Sequence, residues 1–185
     1  MSQAIDTVKN IIRGRFNTAL DGIIGELRDE LQQQGHRASG SLDSSFRHEI
    51  TENDTDGFLG VIFANDYWGI LEDGVKPSRV PYTPGKKSGA SSSKYIQGLL
   101  DWAAIVRPEL EEKERKGFVF AIATKHSMEG NPTLDSYLFS KNEERTGFVQ
   151  RTIDKHVGVL AIKIAGGDFA GQVVSEIIKS VFVKT

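Results

Sequence analysis

Few residues in this sequence could carry out covalent or metal chemistry, and they are widely spaced. The four histidines are His36, His48, His126 and His156, and none of them forms a spaced pair of the kind that binds zinc from one helical face. The chain has no cysteine, which excludes thiol nucleophiles, disulfides and thiolate metal sites. We therefore expect no metal and no cofactor.

Two adjacent pairs of titratable residues could in principle act as acid and base. These pairs are His48 with Glu49 and Glu72 with Asp73. Adjacent residues on a strand or a helix point in different directions, so neither pair is expected to face one substrate. A hydrolase that uses His48 and Glu49 is kept as a hypothesis, while the sequence favours a protein that is not an enzyme.

Glycine and serine segments also lack the spacing of catalytic loops. The run Gly85, Lys86, Lys87, Ser88 lacks the earlier glycine of a phosphate-binding loop and follows no predicted strand. The run from Ser39 to Ser41 lacks the flanking glycines of a nucleophile elbow. Nucleophilic catalysis therefore has no support in the sequence.

Positive charge is concentrated in one segment near the middle of the chain. The stretch from Val75 to Lys94 has no acidic residue, although the formal net charge of the chain is -2. Its basic residues are Lys76, Arg79, Lys86, Lys87 and Lys94. Mobile lysines can neutralise phosphates without reading base sequence, so one interpretation is contact with DNA or with an acidic neighbouring surface. The other interpretation is a solvated linker, which composition alone slightly favours.

The elements that must position these residues are mostly helical. Apolar residues recur every three or four positions from Ile5 to Gln34, which predicts a long amphipathic helix that ends at Gly35. Two short runs, Ser45 to Glu52 and Phe58 to Phe63, predict a β-hairpin. Three prolines and a tract of glycine, lysine and serine predict a long exposed loop over residues 75–93.

Four further helices are predicted along the chain. They run from Tyr67 to Asp73 with Asp66 as cap and Gly74 as end, from Lys94 to Val106, from Glu111 to Met128, and from Asn142 to Ala165. The apolar residues of the second of these helices are expected to face inward: Ile96, Leu99, Leu100, Ala103 and Ile105. Residues 133–141 are predicted to be irregular, and residues 169–183 are interpreted as helix. The length of 185 residues predicts one domain over residues 1–185.

Composition narrows the class of protein. Hydrophobic residues make up 38% and charged residues 26%, which is too apolar for a disordered chain and too polar for a membrane protein. Residues 1–9 lack the features of a signal peptide, and no segment approaches the ~20 apolar residues of a membrane span. We expect a chain that is made and kept in the cytoplasm, with no membrane partner.

Three segments of the chain, in this order, have recognisable patterns. Ser39 to Phe46 has the pattern of small residue, glycine, any residue, leucine, two residues, serine and apolar residue. Tyr67 to Gly74 resembles tyrosine, alanine, two residues, aliphatic residue, glutamate, any residue and glycine, with Trp68 in place of alanine. Ala121 to Pro132 is a predicted helix that ends in glycine and proline. Together, these segments resemble the bacteriophage neck and tail-completion family of long-tailed phages.

The resemblance implies a structural virion protein of the phage neck. It implies an α+β subunit with helices packed on a small antiparallel β-sheet, which assembles into an oligomeric ring at the head-tail interface and has no enzymatic activity. Its partners would be further copies of the chain, adjacent connector, stopper or tail proteins, and DNA in the channel. A tail terminator ring and a nucleic-acid-binding module that uses the basic loop 75–94 are the alternatives.

The candidate contact residues combine the basic loop with one carboxylate. Glu72 could accept a hydrogen bond from backbone or from a basic residue of a neighbour. The complete set is Lys76, Arg79, Lys86, Lys87, Lys94 and Glu72. No catalytic residue and no metal ligand is predicted.

Overall fold

The computed structural model describes residues 2–36, 39–53, 57–85 and 93–165, and it has an α+β fold. The elements are α1 (Ser2–Gln33), α2 (Ser41–Ser45), β1 (Arg47–Asn53), β2 (Gly57–Phe63), α3 (Trp68–Asp73), α4 (Lys94–Val106), α5 (Glu112–Glu129) and α6 (Phe148–Ala165). Two 3-10 helices span Pro77–Arg79 and Leu134–Phe139. The predicted α+β class, the long N-terminal helix and the small antiparallel sheet are confirmed.

The chain divides into two compact units. Unit 1 comprises Met1–Glu30, Leu42–Asp66 and Phe148–Thr185, and unit 2 comprises Leu31–Ser41 and Tyr67–Gly147. The prediction of a single domain over residues 1–185 stays a prediction. The predicted helix at 169–183 lies outside the described residues.

Unit 1 is formed by α1, the hairpin and α6. The apolar stripe of α1 buries Phe16, Leu20 and Leu27, as its three- and four-residue spacing predicts. Strands β1 and β2 pair antiparallel. The side chain of Leu20 packs against Gly60 of β2 so closely that a Cβ at this glycine would lie 2.8 Å from it. The hairpin therefore packs directly on α1.

Helix α6 begins six residues later than predicted. The expected start at Asn142 is wrong because Glu143 and Gly147 adopt φ angles of 62° and 72°, which a right-handed helix does not allow. Phe148 is fully buried at the start of α6, and its ring centroid lies 6.4 Å from that of Phe46. Burial of this aromatic pair sets where the helix enters the core of unit 1.

The core of unit 2 lies between α4 and α5. Ile96 and Ala103 of α4 are buried against Val119 and Ala123 of α5. Helix α4 begins at Lys94 as predicted, with the Ser93 side chain accepting a hydrogen bond from the backbone N–H of Ile96 at 3.1 Å. Helix α5 lies within one residue of its predicted bounds at each end; it begins with a capping box between Glu111 and Glu114 and ends before Gly130.

Helix α1 ends at Gly35, which belongs to unit 2. The N–H of His36 donates to the carbonyl of Leu31 at 2.9 Å, and the N–H of Gly35 donates to the carbonyl of Gln32 at 3.2 Å. Gly35 has a φ of 72°, so this pair of bonds is a Schellman motif that requires a left-handed residue. The predicted helix end at Gly35 is confirmed.

Two segments of unit 2 cross in close contact. Val75 and Asn131 exchange backbone hydrogen bonds of 2.6 and 2.8 Å. A Cβ at Gly130 would lie 2.5 Å from the Val75 carbonyl, and a Cβ at Gly74 would lie 2.9 Å from the Asn131 carbonyl. Both positions therefore require glycine, because no larger residue leaves room for the crossing.

Three local predictions are wrong. Asp66 does not cap α3, because Tyr67 holds the cap position and no side chain caps it. Residues 133–141 are not irregular, since Leu134–Phe139 forms a 3-10 helix. The first part of the predicted loop at 75–93 is not a solvated linker: Pro77–Arg79 is helical, and the ring centroid of Tyr82 lies 6.1 Å from that of Phe120 on α5.

Candidate functional site

Three of the basic residues predicted to contact partners are exposed. Lys76 precedes the 3-10 helix Pro77–Arg79, Arg79 ends it, and Lys94 begins α4. Within the described parts of the chain, none of the three forms an ion pair. Lys86 and Lys87 lie outside the described residues, so the cluster of five cations stays a prediction.

Glu72 is engaged within its own unit. It lies on α3 and is partly buried, and its backbone carbonyl accepts a hydrogen bond of 2.9 Å from the N–H of Gly147. Glu72 has a further interaction within the chain, so it is not a free acceptor. Contact between Glu72 and a neighbouring protein stays a prediction.

The side chains of His48 and Glu49, the candidate acid-base pair, point in different directions. His48 faces α1, where its Nε2 lies 3.1 Å from Asn17 Oδ1 and its Nδ1 lies 3.5 Å from Asp21 Oδ1. Glu49 forms an ion pair with Arg47 instead. Because strand side chains alternate between faces, His48 and Glu49 do not converge on a common point.

A small polar cleft in unit 1 is lined by charged side chains that pair with one another. The cleft has a volume of about 200 Å³, below the ~300 Å³ of ordinary ligand pockets. Lys9 and Arg13 line it, and their nitrogens lie 2.5 and 3.4 Å from the Glu52 carboxylate. Among the described residues, no cluster of three histidine, aspartate or glutamate side chains could hold a metal ion, and no helix could cross a membrane.

His36 is a half-buried, neutral histidine of unit 2. Its Nε2–H donates to the backbone carbonyl of Arg145 at 2.9 Å, because a carbonyl can only accept. Burial, reinforced by the guanidinium of Arg145, lowers the pKa of His36 to about 4. The neutral ring holds the turn after α1 against residue 145, so this histidine has a structural role.

We expect His36 to make the protein less stable in mild acid. As the pH falls, the unfolded chain takes up a proton near pH 6.5 while the folded His36 stays neutral until about pH 4. Its contribution is therefore complete above pH 6.5 and is lost progressively as the pH falls toward 4. The midpoint of urea unfolding, measured between pH 4 and 8, should fall less steeply with decreasing pH in the His36→Gln variant than in the native chain. Equal pH dependence of the two midpoints would contradict the assignment.

Four large apolar side chains are exposed in unit 2 at the end of α5 and on the second 3-10 helix, and we call this set surface A. It comprises Met128 at the end of α5, with 73% of the residue exposed, and three residues of the second 3-10 helix: Leu134 (77%), Leu138 (84%) and Phe139 (75%). Where exposed apolar residues form a contiguous patch, they mark an interaction site. The sequence signal was present in residues 134–139, where apolar residues follow Pro132 in a stretch interpreted as irregular.

The backbone of the Leu134–Phe139 helix is fixed at both ends. The N–H of Leu134 donates to the Glu129 carboxylate at 3.0 Å. The N–H of Lys141, just past the helix, donates to the Gln33 carbonyl at 2.7 Å. Polar contacts therefore hold the segment in place while its apolar side chains face outward.

A second exposed surface lies on α4, and we call it surface B. It comprises Trp102 and Ile105, three residues apart on one helical face, with 36% and 50% of each residue exposed. The Trp102 ring stacks on Phe118 at a centroid distance of 6.1 Å and an interplanar angle of 10°. Ile105 was expected to face inward, and this expectation is wrong.

Surfaces A and B lie at opposite ends of α5. Surface B contacts α5 at Phe118, near the start of the helix, and surface A includes Met128, near its end. Ten residues of α-helix separate these two positions by about 15 Å. Unit 2 therefore exposes apolar side chains near both ends of α5.

Comparisons of the chain with models of protein families, with curated proteins and with solved structures find no match. The resemblance to the neck and tail-completion family therefore rests on the three sequence segments alone. Surfaces A and B are the additional features that a functional interpretation has to explain.

Proposed function

We propose that this chain is a structural protein of the bacteriophage neck, which forms an oligomeric ring that joins or completes the head-tail interface. The observation that carries the proposal is the presence of two different exposed apolar surfaces, A and B, on unit 2. A ring is built from head-to-tail contacts, and such contacts require two distinct surfaces on every subunit.

The neck assignment itself is supported by the three family-like segments. Two of them, Tyr67 to Gly74 and Ala121 to Pro132, cross where Val75 and Asn131 exchange backbone hydrogen bonds. Gly74 of the first segment and Gly130 of the second lie at this crossing, where added Cβ atoms would collide with backbone. The spacing of the motifs thus has a physical reason within one unit, which supports reading them as parts of one pattern.

The proposal assigns no enzymatic activity to the chain. Three of its histidines have structural contacts: His36 with the Arg145 carbonyl, His48 with Asn17 and Asp21, and His126 with the Tyr95 hydroxyl at 2.7 Å. Burial lowers the pKa of His126 and raises the pKa of Tyr95 to about 12, so this pair stays neutral near pH 7. These contacts support a role in packing.

The proposal is tested on particles of a phage that encodes this chain. We expect mass spectrometry of purified particles to find the chain in several copies, and labelling in electron micrographs to place it between head and tail. Loss of the gene should leave filled heads and free tails that do not join. Complete, infectious particles that lack the chain would contradict the proposal.

Binding to nucleic acid is a second candidate, favoured by the exposure of Lys76, Arg79 and Lys94. Exposed cations contact phosphates in a manner that weakens steeply with salt. This candidate would be favoured by salt-dependent binding of duplex DNA that is lost in the triple variant Lys76→Ala, Arg79→Ala, Lys94→Ala. Absence of binding at low salt would remove it.

A further inference from the structure

We draw no further inference here: the strongest candidate, the uncharged outer edge of strand β2 in the two-stranded sheet of unit 1, carries none, because nothing in the described parts of the chain shows what covers it.

Discussion

Replacement of Leu138 and Phe139 by aspartate should leave the chain monomeric at concentrations at which the proposed ring of native chains forms. Removal of a central interface anchor typically costs about 2 kcal/mol or more, and the two replacements also place charges in an apolar contact. A loss of about 4 kcal/mol per contact weakens each interface roughly 1000-fold. Sedimentation velocity over a concentration series measures the effect.

The same double variant should fold as the native monomer does. The two residues are 84% and 75% exposed, so their replacement removes little buried area from unit 2. Ala121→Asp, an exposed position on α5 that belongs to neither surface, is the control and should assemble normally. Native-like assembly of the Leu138→Asp, Phe139→Asp variant would show that surface A takes no part in association.

Removal of the two cations that face Glu30 should destabilise unit 1 by about 3 kcal/mol. Glu30 of α1 is 1% exposed, and its two carboxylate oxygens lie 3.2 Å from Arg151 Nε and 2.9 Å from Lys155 Nζ. Both cations belong to α6, and a buried carboxylate is stable only when opposite charges offset its loss of hydration. Urea unfolding of the double variant Arg151→Met, Lys155→Met measures the loss of stability.

A third replacement distinguishes charge from packing. Adding Glu30→Leu to the double variant should restore most of the stability, because an apolar residue of similar volume needs no counter-charge. If the triple variant stays as unstable as the double variant, the loss came from the aliphatic stems of Arg151 and Lys155. An unchanged urea midpoint in the double variant would contradict a role for these charges in holding α6 on α1.

The regular elements could be predicted because local signals and tertiary packing agree in them. The stripe of α1 and its end at Gly35, the hairpin, and the helices α4 and α5 all follow the expected spacing or capping residues. Prediction failed over residues 133–147, where the structure depends on contacts distant in sequence. The 3-10 helix there contacts Gln33 and Gly35, which lie more than 100 residues earlier in the chain. A local sequence pattern contains no information on such contacts.

The candidate surfaces could be predicted less well than the fold. The basic residues Lys76, Arg79 and Lys94 were identified from composition, because charge is visible in a sequence and exposure follows from it. Surfaces A and B consist of apolar residues, which a sequence pattern assigns to the core. Ile105 was placed inside for this reason, and only the position of α5 beneath α4 shows that this face is open.

The most direct test of the account is native mass spectrometry of this chain over a wide range of concentrations. We predict one closed oligomer of fixed copy number that replaces the monomer as concentration rises, with no open series of intermediate sizes. A chain that remains monomeric at the highest concentration would contradict the claim that its exposed apolar surfaces exist to join copies of it.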